Sequence, residues 1–387
     1  MINKIVLKNI NSIGTCEIDF SKKNYKFLED NILNGRVNPI AIYGHNGSGK
    51  SSFFKGIQQL IFLMISPVDN LVPFVVNQFD LKEYIDKLKK AEQGQKEYKN
   101  VKPINGSILI DFSIGDEQYK YFISTSPLNR IEREYLKVND EYIFEREINS
   151  EKFKNVVTKI EIENRSLLVP TLRYLASIEI NDDRIQNAYK FITSFTFVDL
   201  PRQAAGAYVS SKTFNNMSVA DLMVSKSEEV KDILKDYDEF PIYSIIKKEA
   251  RPGLNSQNDC FIKYDGLENA ELPLTMISDG MRNQSLLLSI LLSLPENGVL
   301  FIDELELALH PTAIVSFLNV VKKKSIQLVF SSHNTHILQH LRPDQIYFAK
   351  WNRGYSTYYR LSQIYPNIRE INNIEKMYFG KLFDIED

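Results

Sequence analysis

Ile40-Ala41-Ile42-Tyr43-Gly44-His45-Asn46-Gly47-Ser48-Gly49-Lys50-Ser51 is the stretch that decides the fold. Four apolar residues suit a buried strand. The loop that follows closes on Lys-Ser, and residues 52–64 carry helix formers with no proline and one glycine, Gly56, before Ser66-Pro67. Strand, glycine-rich loop and helix in that order predict a phosphate-binding loop. The glycines let the backbone turn tightly, so that several N–H groups and the helix N-terminus converge on a β-phosphate. In that geometry Lys50 bridges the β- and γ-phosphates and the Ser51 hydroxyl ligates Mg²⁺. Gly44, His45, Asn46, Gly47, Ser48, Gly49, Lys50, Ser51 and Ser52 are therefore the candidate nucleotide-binding residues.

Outward from the loop, residues 4–8 and 15–20 read as strands about a turn at 11–14. Residues 105–146 read as an antiparallel meander, with strands at 107–112, 118–124, 132–138 and 141–144. Between them, residues 81–102 become densely charged, as a solvated helix and loop would; an arm contacting a polymer is the other reading. Residues 150–259 show helical periodicity broken by Pro170, Pro201, Pro241 and Pro252, and no chemistry is visible there. The last third alternates an apolar helix (281–294), a buried strand (298–302) and another strand (326–330). Short apolar runs separated by helices indicate a parallel sheet covered on both faces.

The strand at 298–302 ends in Asp303-Glu304. An acidic helix cap after a strand looks the same, but beside a phosphate loop the pair reads as a carboxylate holding Mg²⁺ through water (Asp303) and a general base or water-positioning group (Glu304). Ser278-Asp279-Gly280-Met281-Arg282 puts a serine, a glycine and a helix N-terminus where a γ-phosphate could bind, although an ordinary N-cap has the same composition. Leu305-Glu306-Leu307-Ala308-Leu309-His310-Pro311 follows the acidic pair, and Ser331-Ser332-His333-Asn334 follows the next strand. All five histidines lie near these motifs. His333, His336 and His340 could share one helix face as a metal site, but the sequence offers no CxxC or HExxH beside them.

The order phosphate loop, Ser-x-Gly, Asp-Glu, following turn and histidine resembles ABC-type ATPases of the SMC, Rad50 and RecF branch. "SDGMRNQ", "FIDELELALHP" and "FSSHNTHIL" are more closely similar to the stand-alone AAA15/AAA21-type ATPases, relatives of the OLD-family ATPase half and of RloA-like proteins. Segments at 344–348 and 368–380 look like that family's tail. The resemblance covers about the first 60 and last 120 residues, and the middle only loosely. It implies an ABC-type head with ATP sandwiched between two protomers. Lys50, Ser51, Asp303, Glu304 and His333 would act from one subunit, with Ser278 and Gly280 reaching the γ-phosphate held by the other. His310 stands where transporters and SMC proteins usually carry aspartate, and Leu-His-Pro there is common in the AAA15-like group. For the glutamine that couples such heads, Gln78 is the one candidate, in a divergent segment.

Composition bounds the rest. Against 47 Lys and Arg stand 49 Asp and Glu, a net charge of −2, so bulk polyanion binding is excluded and any DNA contact is confined to a local patch. Two cysteines, Cys16 and Cys260, exclude a disulfide framework and suit a reducing cytoplasm. No segment is long and clean enough for a membrane helix. The 387 residues leave no room for a long coiled coil, and about 50 residues after His333 are too few for a TOPRIM nuclease.

The expectation is an α/β P-loop ATPase head with a mixed sheet, a meander and a helical insertion. Residues 1–150 carry the loop, a charged insertion at 65–104 and the meander; residues 151–259 are the insertion; residues 260–387 complete the head. It would be a Mg²⁺-dependent, ATP-hydrolysing homodimer or higher homo-oligomer, serving as sensor for a separately encoded nuclease or toxin in a system such as anti-phage defence. A RecF-like DNA clamp is the alternative.

Overall fold

The computed structural model describes residues 1–65, 106–125, 131–147, 154–155, 169–178, 182–199, 208–210, 219–235, 243–248, 260–265, 271–307, 309 and 311–380. The charged stretch at 81–102, Gln78 and His310 lie outside the described residues.

Fourteen of the described strands form one sheet. Its central part is parallel and runs Thr196–Asp199, Val299–Asp303, Gln327–Ser331, Ile40–Tyr43, Ile346–Asn352. Both alternating sets of side chains along these strands are apolar because helices cover both faces. Ile40, Ile42, Val299, Phe301 and Val329 share a core with Phe53, Phe54, Ile57 and Ile61 of the helix Lys50–Ile65. On the opposite face Ala41, Tyr43, Leu300, Ile302, Leu328 and Phe330 share a core with the helices Asp279–Ser293 and Pro311–Lys323. Each fully buried Leu, Ile or Phe contributes roughly 1.5–3 kcal/mol, so this double cover locks the strand ends that carry the motifs.

Tyr355–Arg360 returns antiparallel to Ile346–Asn352 and lies parallel to Ile13–Asp19. Beyond it, Ile2–Ile10, Gly106–Ile114, Glu117–Thr125, Ile131–Val138 and Glu141–Glu147 continue as antiparallel neighbours, the last four being the expected meander. The last hairpin turns on Asn139 and Asp140, both at positive φ (50° and 64°), the conformation a two-residue turn needs to match the strand twist. The fully buried Glu134 fastens the meander to the helix Thr171–Ser177. Its carboxylate accepts the Thr171 and Leu172 N–H groups at 2.6 and 3.0 Å and the Tyr121 hydroxyl at 2.9 Å.

The stretch 151–259, expected to be helical, is mixed. Helices at Thr171–Ser177, Asp183–Thr193, Val219–Ser225 and Ser227–Leu234 alternate with strands at Thr196–Asp199, Tyr208–Ser210 and Tyr243–Lys247. The strand Thr196–Asp199 is part of the central sheet, paired with Val299–Asp303. A run of four residues following a helix leaves no period to detect, and its buried Phe197 and Val198 match a helix core equally well. Tyr243–Lys247 belongs to a separate antiparallel sheet with Cys260–Tyr264 and Glu271–Pro273. The Tyr243 hydroxyl reaches Ser285 Oγ at 2.5 Å, tying this small sheet to the helix that begins after Ser278.

Candidate functional site

The phosphate loop leaves the Ile40–Tyr43 strand through Gly44 (φ +152°) and enters the helix through Gly49 (φ +98°). Both positions demand glycine sterically as well as conformationally. A Cβ on Gly44 would stand 2.4 Å from the Ala349 carbonyl oxygen, and one on Gly49 would stand 1.9 Å from Ser356 Oγ. The Lys50 side chain, nearly buried, curls over the loop, and its ammonium donates to the Gly44 and His45 carbonyls at 2.9 and 3.2 Å. Ser48 Oγ is buried with no hydrogen-bond partner, an orphaned polar group beside Gly44. Such a group is what a phosphate oxygen satisfies, so the residues present fit a bound nucleotide.

Beneath the loop, Ser12, Ser356 and Tyr358 carried no sequence signal, and Ser52, a candidate nucleotide-binding residue, turns its hydroxyl to Ser12. Ser12 Oγ is hydrogen-bonded to Ser52 Oγ at 2.7 Å and to Ser356 Oγ at 2.9 Å, while the Tyr358 hydroxyl donates to the Gly49 carbonyl at 2.7 Å. Burial pushes the Tyr358 phenol well above its usual range, so it stays a neutral donor. These residues come from the first hairpin, the loop helix and the strand Tyr355–Arg360, and they hold the loop from behind.

The acidic pair ends the Val299–Asp303 strand, separated from the loop strand by Gln327–Ser331 alone. Ser331 organises it. Its hydroxyl donates to Asp303 Oδ1 at 2.5 Å and accepts the Glu304 N–H at 2.8 Å. Glu304 itself has φ +55°, a left-handed backbone unusual for a non-glycine residue. One residue further, the turn Leu305–Leu307 brings in Glu306, whose Oε1 accepts the His333 N–H at 2.7 Å. The Tyr43 hydroxyl donates to the Asn334 carbonyl at 2.9 Å in the same loop. Burial first, and then the Glu306 charge, drive the Tyr43 hydroxyl well above its ordinary range.

His333 is exposed and lines one cavity of about 870 Å³ together with residues 44–48 of the loop. Ser278 and Gly280 do not line that cavity. They sit exposed at the start of the helix Asp279–Ser293, where Ser278 Oγ accepts the Met281 N–H at 3.3 Å as an N-cap and open space surrounds Gly280. Asn283 on the same helix donates to the Leu307 carbonyl at 3.3 Å, linking it to the turn after the acidic pair.

The shared histidine face does not form, because residues 335–340 make a 3-10 helix that starts after His333. His336 and His340 rings stand 5.8 Å apart, and His336 contacts Gln339. Among the described residues no group of three His, Cys, Asp or Glu is placed to hold a metal ion. Ser51 and Asp303 instead offer hard oxygen donors of the kind Mg²⁺ takes.

A glycine-rich loop at the head of a helix, with an acidic pair two strands away on a mixed sheet covered by helices, defines a P-loop ATPase domain. More narrowly, the chain belongs to the AAA_21 family, described as "AAA domain, putative AbiEii toxin, Type IV TA system", whose model matches residues 40–339. Among solved structures it is similar to an SmcHead bound to the C-winged helix domain of ScpA (14% identity, covering 94% of this chain and 99% of that one, TM-score 0.49). It is also similar to the SMC head domain from Thermotoga maritima (14% identity, 93% and 98%, TM-score 0.45). A third is the Smc head domain with an extended coiled coil derived from Pyrococcus furiosus (13% identity, 100% and 99%, TM-score 0.46). No curated protein sequence matches the chain. Among the described residues no helix is long and apolar enough to cross a membrane.

Proposed function

We propose that this protein is a Mg²⁺-dependent ATPase that closes two copies around ATP and serves as the sensing subunit of a multi-protein system in the cytoplasm, with a separately encoded nuclease or toxin as effector. The observation that carries the catalytic part is the Ser331 hydroxyl, which fixes Asp303 and Glu304 two strands from the phosphate loop. Bound Mg²⁺-ATP supplies the phosphoanhydride to be cleaved. Residues 44–49 would cradle the phosphates through backbone N–H groups, and the Lys50 ammonium would turn from the loop carbonyls to the β,γ-bridging position. Ser51 and Asp303 would hold the metal. Glu304 would orient the attacking water and take its proton, and His333 would donate to the γ-phosphoryl oxygens.

Two features support closure between copies. Ser278 and Gly280 are exposed, with a helix N-terminus behind them and no place in the loop cavity of their own chain. Large apolar Met276, three-quarters exposed, lies two residues before Ser278. The division into residues 1–150 and 260–387 as the two parts of the head, with 151–259 inserted, belongs to this reading, amended by the strand Thr196–Asp199. Membership of the OLD- and RloA-like branch and an anti-phage role rest on the motif resemblance.

The decisive measurement is ATP turnover and mass by light scattering for wild type and Glu304→Gln. The reading expects loss of turnover and an ATP-dependent dimer in the variant. Undiminished turnover in Glu304→Gln sinks the proposed role of Glu304, and turnover stimulated by duplex DNA with a steep salt dependence would favour the clamp.

A further inference from the structure

We propose that the cavity beside the phosphate loop binds the purine base of the nucleotide between Trp351 and the C-terminal helix Ile374–Phe379, so that this helix is a wall of the nucleotide site. The inference rests on the ATP-binding role of the loop and extends the site to Trp351 and to the helix Ile374–Phe379.

Residues 44–48 line the cavity together with an aromatic set, Phe348, Trp351, Tyr378 and Phe379. Its volume of about 870 Å³ is on the scale of a site for a whole nucleotide. The aromatic set is held in place. Phe348 and Tyr378 rings stack at 5.7 Å and 16°, joining the strand Ile346–Asn352 to the C-terminal helix. Thr335 Oγ1 donates to Glu375 Oε1 at 3.0 Å, and Asn373 caps the helix through the Lys376 N–H at 2.8 Å. Thr335 follows His333 by two residues, so the loop that carries the proposed γ-phosphate sensor also fastens the aromatic wall.

Two of these aromatic residues remain open to solvent, Trp351 at 49% and Phe379 at 68% of full exposure. Flat apolar rings at the mouth of a cavity are satisfied by a flat, amphipathic partner, and every nucleobase has a π-face to offer. Charge agrees as well. Among the described residues, the lining contains His45, Lys350 and His333 and no Asp or Glu, so these residues set no like charge against a polyphosphate on the loop. A side chain of a partner protein could also fill an aromatic pocket, but continuity with the phosphate loop favours the base.

Trp351 is the single tryptophan of the chain, so its fluorescence reports the pocket directly. Titrating the full chain with Mg²⁺-ATP should change the Trp351 emission, and inorganic tripolyphosphate should bind without that change. Calorimetry should show ATP affinity reduced about tenfold in Trp351→Ala and in Phe379→Ala, retained in Trp351→Phe, with tripolyphosphate affinity equal in all four proteins. ATP binding that Lys50→Ala abolishes, but that leaves Trp351 emission and both alanine variants unaffected, overturns the base pocket and leaves the ATPase reading standing. Wild type that binds no ATP overturns both.

Discussion

The Glu306 carboxylate accepts the backbone N–H of His333 at 2.7 Å, joining the turn after the acidic pair to the loop after the neighbouring strand. Its second oxygen is buried without a hydrogen-bond partner, so the carboxylate is held in place by one directed bond. Movement of either segment is thereby felt by the other. Hydrogen bonds to charged acceptors contribute about 1.5–3 kcal/mol. Glu306→Ala is therefore expected to lower kcat for ATP about tenfold or more with little change in KM, because His333 loses its anchor. Glu306→Gln keeps an oxygen acceptor and should retain most of the rate. Steady-state kinetics on both variants decides it, and equal loss in the two would point to the charge instead of the anchor.

Ser331 is fully buried and bonded to both members of the acidic pair, at Asp303 Oδ1 and at the Glu304 N–H. Ser331→Ala removes the acceptor of the Glu304 N–H and the donor to Asp303 Oδ1. The expected result is a stability loss of about 1–2 kcal/mol and a several-fold rise in the Mg²⁺ concentration giving half-maximal turnover. Urea unfolding and a Mg²⁺ titration measure the two effects separately. An unchanged Mg²⁺ requirement would detach Asp303 from metal binding.

How much of the fold and site the chain discloses by itself follows from how far each signal extends in sequence. The loop, the acidic pair and the meander are local patterns, and they fall where expected. The strand Thr196–Asp199 escaped because four residues give no period and its partner lies more than a hundred residues downstream. Ser52 stood out by following Lys50-Ser51, but Ser12, Ser356 and Tyr358 meet it beneath Gly49 from separate elements, and nothing in their sequence neighbours announces that meeting. Trp351 and Phe379 likewise gain meaning only when the C-terminal helix closes against the loop cavity.

The two inner glycines of the loop should respond differently to substitution. Gly47 has φ +78° with no heavy atom within 4 Å of where a methyl would stand, while Gly49 has φ +98° and Ser356 Oγ at 1.9 Å. Gly47→Ala meets the left-handed backbone penalty alone, about 1–2 kcal/mol. Gly49→Ala meets that penalty and a collision with the hydroxyl set below the loop. We expect Gly47→Ala to fold with a modestly lowered Tm, and Gly49→Ala to lose both nucleotide binding and several more degrees. Comparable melting curves for the two would contradict the buttress beneath the loop.

His340 should make stability fall on the acid side of neutrality. Burial, His336 and Lys322, in that order, hold its pKa below the ordinary 6.5. Below that value the unfolded chain binds a proton that the folded one resists, so stability is present above it and declines as pH falls through the window down to the depressed value. Thermal melts between pH 7.5 and 5.5 should show a shallower decline in His340→Asn than in wild type. The side chain is partly exposed, and solvent screening keeps the effect small.

Composite sites make a further claim that single variants cannot test. If Lys50 acts on one copy and Ser278 on the other, Lys50→Ala and Ser278→Arg are each inactive, because every site in either homodimer contains the defect. In a mixed dimer the two defects fall in the same site, and the other site unites intact Lys50 with intact Ser278. Random pairing at equal concentrations makes half the dimers mixed, each with one good site, so about a quarter of wild-type turnover returns when sites act independently. Native mass spectrometry establishes that mixed dimers formed. Mixed dimers without recovered turnover would mean either that both sites must be intact at once or that Ser278 does not serve its partner. A Ser278→Ala chain distinguishes these: losing the hydroxyl while keeping the helix N-terminus should lower turnover only if Ser278 reaches the γ-phosphate, and should leave it unchanged if the residue is a helix cap and nothing more.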